Sequence, residues 1–160
     1  MKKRLFIDMD GVIAVWDSSK SLVEVLMPYY FLNCKAEEKL IESIKLIIQA
    51  DIFDVYILSA ANTRHIRECK KKWLKKYLPE IKESHIIFAR TWIPKSNFIK
   101  CPAKDDLLLD DYSVNLHAWH GQGVKFRNKV NGTKGSWKGK SISHLETKEE
   151  IYSHLFNLAQ

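Results

Sequence analysis

Two acidic pairs in this 160-residue chain have the types and spacing to do chemistry. The first is Asp8-Met9-Asp10-Gly11-Val12, directly after the apolar run Leu5-Phe6-Ile7. In extended backbone, residues two apart point to the same side, so Asp8 and Asp10 can share one site. Gly11 then lets the chain turn away sharply. The second pair is Asp110-Asp111, directly after Leu107-Leu108-Leu109. Like charges brought together raise each other's pKa, and a cation relieves that cost. Hard oxygen ligands in small number suit Mg²⁺, which keeps several waters and binds substrate phosphate. Beside such an ion one carboxylate can attack phosphorus. Another can protonate the leaving alcohol and then activate the hydrolytic water. A hydroxyl and an ammonium can hold the phosphoryl oxygens, and Ser59, after the run at 53–58, is the natural hydroxyl. Each feature also has an ordinary structural use. Asp-x-Asp-Gly is common turn chemistry, and Ser59, Asn62 or one Asp of the second pair suits a helix N-cap.

The elements that must position these groups alternate. Apolar runs at 5–7, 53–58, 85–88 and 107–109 read as strands, with a weaker one at 124–126. Between them, 36–50 has Leu40, Ile41, Ile44, Ile47 and Ile48 at helical spacing. Residues 64–76 carry seven basic residues on what reads as the solvated face of a helix, with Ile66, Trp73 and Leu74 toward the core and Pro79 closing it. Thr147 and Glu150 have capping-box spacing for a last helix, and Asn131-Gly132 marks a turn. Continuous apolar strands between helices predict an α/β fold of three layers around a parallel sheet. In such sheets ligands bind beyond the carboxyl ends of the strands. Three strand ends then deliver Asp8, Asp10, Ser59, Asp110 and Asp111 to one edge.

With those residues in that order, the chain resembles the haloacid dehalogenase (HAD) superfamily of phosphohydrolases. Within it, Asp-Met-Asp-Gly-Val-Ile-Ala at 8–14 and Leu-Leu-Leu-Asp-Asp-Tyr-Ser-Val-Asn-Leu at 107–116 are similar to the 5'(3')-deoxyribonucleotidase-like family. Trp119, Asn131 and Trp137-Lys138-Gly139 resemble that family's tail more weakly, and both tryptophans equally suit core packing. The resemblance implies a Rossmann-like sheet with a small helical cap inserted after the first strand, at about 15–35. It implies Asp8 as nucleophile, Asp10 as general acid/base and Ser59 as a phosphate ligand. It also implies Mg²⁺ on Asp8, the Asp10 carbonyl and Asp110, with Asp111 direct or through water. The superfamily's phosphate-binding lysine is placed at Lys95, with Lys100 and Lys104 as the other candidates.

Composition leaves room for this reading. A formal charge of +7 favours anionic partners. The basic start is cut after three apolar residues by Asp8 and Asp10, so no signal peptide and a cytoplasmic location are expected, with no membrane partner. Cys34, Cys69 and Cys101 form no CxxC pair and read as three reduced, partly buried thiols. No GxxxxGK[ST] loop is present, which disfavours a P-loop kinase. His117 and His120 lack an acidic partner in the pattern and are placed on a helix surface. Trp16, Tyr29, Tyr30 and Phe31 in the cap either stack on a base or form the cap's own core. The first expectation is a Mg²⁺-dependent phosphomonoesterase acting on nucleoside (deoxy)monophosphates. The alternatives are another small phosphomonoester or a nucleic-acid terminal phosphate, and, in another class, a basic nucleic-acid-binding protein on a degenerate fold of this type.

Overall fold

Six short strands make one sheet: β1 (Arg4–Ile7), β2 (Asp54–Ala60), β3 (Ile86–Ala89), β4 (Leu107–Asp110), β5 (Gln122–Arg127) and β6 (Ser141–Ser143). The computed structural model describes residues 2–160. The strands lie in the order β3-β2-β1-β4-β5-β6, and every pair is parallel. Leu107, Leu108 and Leu109 are all fully buried. Continuous apolar strands of this kind need cover on both faces. One face packs Leu5, Ile7, Leu107 and Leu109 against α3 (Glu38–Gln49), α4 (Arg64–Tyr77) and α6 (Lys148–Ala159). The other packs Phe6, Leu58 and Leu108 under α5 (Ser113–His117), with Ile99 and Trp119 alongside. The α/β, three-layer expectation therefore holds. From β1 the chain moves outward through β2 and β3, then crosses back to place β4 on the other side of β1. The carboxyl ends of β1 and β4 part at that switch point, where open α/β sheets hold their ligands.

Residues 15–35 form a separate excursion holding the short helices α1 (Leu22–Val25) and α2 (Pro28–Asn33). The Val15 N–H donates to the Lys35 carbonyl at 2.8 Å, and Ala14 pairs antiparallel with Ala36, so the segment leaves and rejoins the fold at one point. Its small core joins Val25 and Phe31 to Ile66 and Cys69 of α4, with Trp16 and Tyr30 packed on the outside. Tyr29 stays exposed.

Several sequence expectations need correction. β2 runs two residues past 58, because Ser59 and Ala60 pair with Phe88 and Ala89 of β3. Ser59 is thus a strand residue and caps nothing. Thr63 caps α4 through its hydroxyl, and Asn62 bonds Thr91 instead. The basic face of α4 is not wholly solvated: Lys70 is completely buried. His120 lies beyond α5, bonded to Asp106 at 2.6 Å and tilted against the Trp119 ring. Cys101 is exposed while Cys69 is buried, so the three free thiols have no common environment. β6 had no sequence signal, since only Ile142 in it is apolar and buried. The tail from 125 to 140 folds onto the sheet, with the Lys125 ammonium bonded to the Lys134 carbonyl and Trp137 packed on the apolar cluster that contains Phe6 and Leu108. The capping box at Thr147 and Glu150 forms as expected.

Candidate active site

Asp8 is the first residue beyond β1, and its N–H donates to the Leu109 carbonyl at 2.9 Å, which ties it to the end of β4. Asp110 closes β4, and Asp111 follows. Carboxylate oxygens of Asp8, Asp110 and Asp111 lie within 4.8 Å of one another, and all three residues are buried. Lys95 opens a 3₁₀ turn (Lys95–Phe98) and projects into this group. Its ammonium is 2.6 Å from Asp110 Oδ2 and 3.0 Å from Asp8 Oδ1. Lys100 and Lys104, the other two candidate lysines, are exposed. The Asp110 carboxylate also accepts from the Tyr112 N–H at 2.8 Å and the Asn115 amide at 3.0 Å. Asp111 accepts from the side chains of Asn128 and Asn131, so the tail loop carrying that turn holds it in place.

A second cluster adjoins the first. Asp10 Oδ2 accepts from the Lys70 ammonium at 2.5 Å, and the same ammonium reaches Ser59 Oγ at 2.9 Å. Asp8 and Asp10 thus sit on one edge with Ser59 from β2 and Lys95 ahead of β4. Lys70, Asn115, Asn128 and Asn131 are the polar partners that sequence reading had not placed in the site. Lys70 carried a signal in its spacing: with Ile66, Trp73 and Leu74 it falls three and four residues apart, on the apolar face of α4.

Burial and charge shape the titration of these groups. Burial raises the Asp10 carboxyl above its ordinary value, against the pull of Lys70. Burial does the same at Asp110, against Lys95. At Lys95 burial disfavours the charge, but Asp110 and Asp8 outweigh it and hold the ammonium above its usual range. Asp111 is pushed up to about 8, by burial first and then by Asp8 and Asp110.

Three buried carboxylates with one lysine between them are a donor set that fits a hard divalent cation. The Asp111 shift makes this testable. Free of metal, the folded protein holds a proton on Asp111 between the ordinary carboxylate value of 3.8 and about 8. The contribution of this group to stability is full below the lower value and is lost as pH rises through the upper one. A cation that takes the Asp111 carboxylate as a direct ligand must displace that proton. Mg²⁺ affinity is therefore expected to climb about tenfold per pH unit from 6 toward 8, then level off. Isothermal titration in buffers of different ionisation enthalpy measures both the slope and the proton released.

Gly11 forms the tight turn after Asp10, at φ 75°. A Cβ there would press into the Asp111 carboxylate and the Asn128 amide. Gly11→Ala should destabilise the fold by about 1–3 kcal/mol, from left-handed strain and overlap together. It should also weaken Mg²⁺ binding by displacing Asp111. Thermal unfolding with and without Mg²⁺ checks both effects.

Compared with protein-family models and with curated proteins, the sequence matches none. The site's own chemistry therefore carries the functional reading. Among the described residues, no helix is long and apolar enough to cross a membrane.

Proposed function

We propose that this protein is a Mg²⁺-dependent phosphomonoesterase of the HAD type, working through an aspartyl-phosphate on Asp8 and acting on nucleoside (deoxy)monophosphates. The observation that carries the reading is the meeting of Asp8, Asp10, Ser59 and Lys95 with the Asp110–Asp111 pair at the switch point of a parallel sheet.

Each residue has a role that its contacts suit. Asp8 Oδ1 is occupied by Lys95 and by the Met9 N–H at 2.8 Å, so Oδ2 is the oxygen left to attack phosphorus. As the new O–P bond forms, the ester P–O bond breaks and its electron pair goes to the leaving oxygen. The Asp10 carboxyl gives its proton to that oxygen. Asp10, now a carboxylate, takes a proton from water, whose oxygen attacks phosphorus and expels the Asp8 carboxylate. Ser59 Oγ and the Lys95 ammonium supply hydrogen bonds to the phosphoryl oxygens. Asp8, the Asp10 carbonyl and Asp110 would hold Mg²⁺, with Asp111 direct or through water. When bound, the ion offsets the charge of the incoming phosphate against that of the carboxylates.

The nucleotide preference rests on a cavity beside the site, which the catalytic carboxylates and Lys95 do not themselves line. A cavity of about 690 Å³ is lined by Trp16, Tyr29 and Tyr30 of the 15–35 excursion, with Lys20, Lys35 and Lys129 and the acidic Asp17 and Glu24, a volume ordinary for a small-molecule site. Tyr30 also lies close enough to Asp10 to feel its charge. Aromatic rings beside lysines suit a planar base on a phosphorylated sugar.

The test is phosphate release, with and without Mg²⁺, from deoxy- and ribonucleoside monophosphates, sugar phosphates and phosphate-ended oligonucleotides. Mg²⁺-dependent release ranked toward nucleotides supports the proposal. A ranking toward sugar phosphates or oligonucleotide ends keeps the chemistry and changes the substrate. No release from any of them, with tight salt-sensitive oligonucleotide binding, overturns it in favour of a nucleic-acid binder.

A further inference from the structure

We infer that Lys70 is a positioning residue for phosphoryl transfer, which assigns the hydrogen-bonding roles of both Asp10 and Ser59. This rests on the phosphatase reading above. Lys70 lies on α4, outside both acidic pairs, and is completely buried. Its ammonium makes three hydrogen bonds: to Asp10 Oδ2 at 2.5 Å, Ser59 Oγ at 2.9 Å and the Ala60 carbonyl at 2.8 Å. An ammonium has three donors and no acceptor. All three are committed, so Lys70 has none left for a substrate oxygen. Lys95 differs, with two carboxylate partners and one N–H to spare.

The consequence follows from donor and acceptor arithmetic. Because Lys70 can only donate, Ser59 Oγ must accept from it. The Ser59 proton is then free to point elsewhere, and the phosphoryl group is the acceptor the site is built to receive. At Asp10 the same bond occupies Oδ2. Oδ1 is buried and has no hydrogen-bond partner among the described residues. Because Oδ2 accepts from the ammonium, the proton of the Asp10 carboxyl sits on Oδ1. The Phe31 ring lies 4.7 Å from the ammonium and closes it on the side of the 15–35 excursion. One cation thus orients Asp10, in the turn after β1, and Ser59, on β2.

Lys70→Met tests this, because it keeps most of the stem and removes the donors. Phenyl phosphate and p-nitrophenyl phosphate are the probes. They have nearly the same shape, but p-nitrophenolate leaves with little need of a proton. If Lys70 positions Asp10 for proton delivery, kcat/KM, which reports the step that expels the leaving group, falls at least about tenfold more on phenyl phosphate than on p-nitrophenyl phosphate. Asp10→Asn should show the same bias, and adding Lys70→Met to it should not widen the ratio. The double variant also removes both buried partners, so it stays measurable if Lys70→Met alone unfolds. Equal losses of kcat/KM on both probes would overturn the inference. Wild-type protein inactive on both probes and on the nucleotide panel overturns the phosphatase reading itself, and this inference with it.

Discussion

Asp8→Asn should lower kcat for phosphate release by about 10⁴-fold or more, on every substrate the protein accepts. An amide oxygen is too poor a nucleophile to attack phosphorus, and no other carboxylate occupies the same place against Lys95. The stability of the metal-free protein should move the other way. Asp8 is one of the charges that push Asp111 up to about 8. Without it, one repulsion is gone from a buried cluster, Asp111 titrates lower, and the melting temperature near neutral pH should stay equal or rise. Lost turnover with unchanged or higher stability separates a catalytic residue from a structural one. Residual turnover within tenfold of wild type would rule Asp8 out as nucleophile. An intact affinity for oligonucleotides with no turnover in either protein would instead favour the binder.

Lys95→Met should have the largest effect on stability. Asp8 and Asp110 are both ion-paired to Lys95, which is itself 5% exposed. Breaking a buried pair by removing one partner typically costs about 3–5 kcal/mol, because the remaining charge is left uncompensated. The carboxylates can escape by taking up protons, so the loss should be smaller at pH 5 than at pH 8. Saturating Mg²⁺ should restore part of it by supplying positive charge to the same oxygens. Activity should not recover in parallel. A charged hydrogen bond to a phosphoryl oxygen is worth about 1.5–3 kcal/mol, so binding of inorganic phosphate should weaken roughly 10- to 100-fold even with Mg²⁺ present. Thermal melts across pH, with and without Mg²⁺, and competition by inorganic phosphate measure the two effects separately. An unchanged melting temperature in the metal-free variant would contradict the pairing.

What was legible in the chain follows from the physics of parallel sheets. Leu5-Phe6-Ile7 and Leu107-Leu108-Leu109 are continuous apolar runs, which only strands covered on both faces tolerate, so the residues after them fall at one sheet edge. That local rule was enough to bring Asp8, Asp10, Ser59, Asp110 and Asp111 to a single edge. Lys95 needed the family resemblance as well, because its distance to Asp110 depends on how the turn before β4 folds. Ser59 was legible as the candidate phosphate ligand, and only its alternative use as a helix cap fails, since two more residues of β2 pair with β3 than its apolar run suggested.

Lys70 shows where sequence reading ends. A lysine among six other basic residues of 64–76 reads as solvated, because a buried ammonium without a partner is prohibitively costly. Its partner Asp10 is sixty residues away. Only the packing of α4 against the edge of β1 and β2 supplies the counter-charge that makes burial tolerable. The same holds for Asn128 and Asn131, which touch Asp111 because the tail folds back over the sheet through β6, a strand with one buried apolar residue. The sequence by itself determined that β1 and β4 end at the two acidic pairs, because a continuous apolar run is a local pattern. Tertiary structure alone decided which polar groups hold those carboxylates in place, because each such contact joins distant segments and is stable only when both halves are already folded.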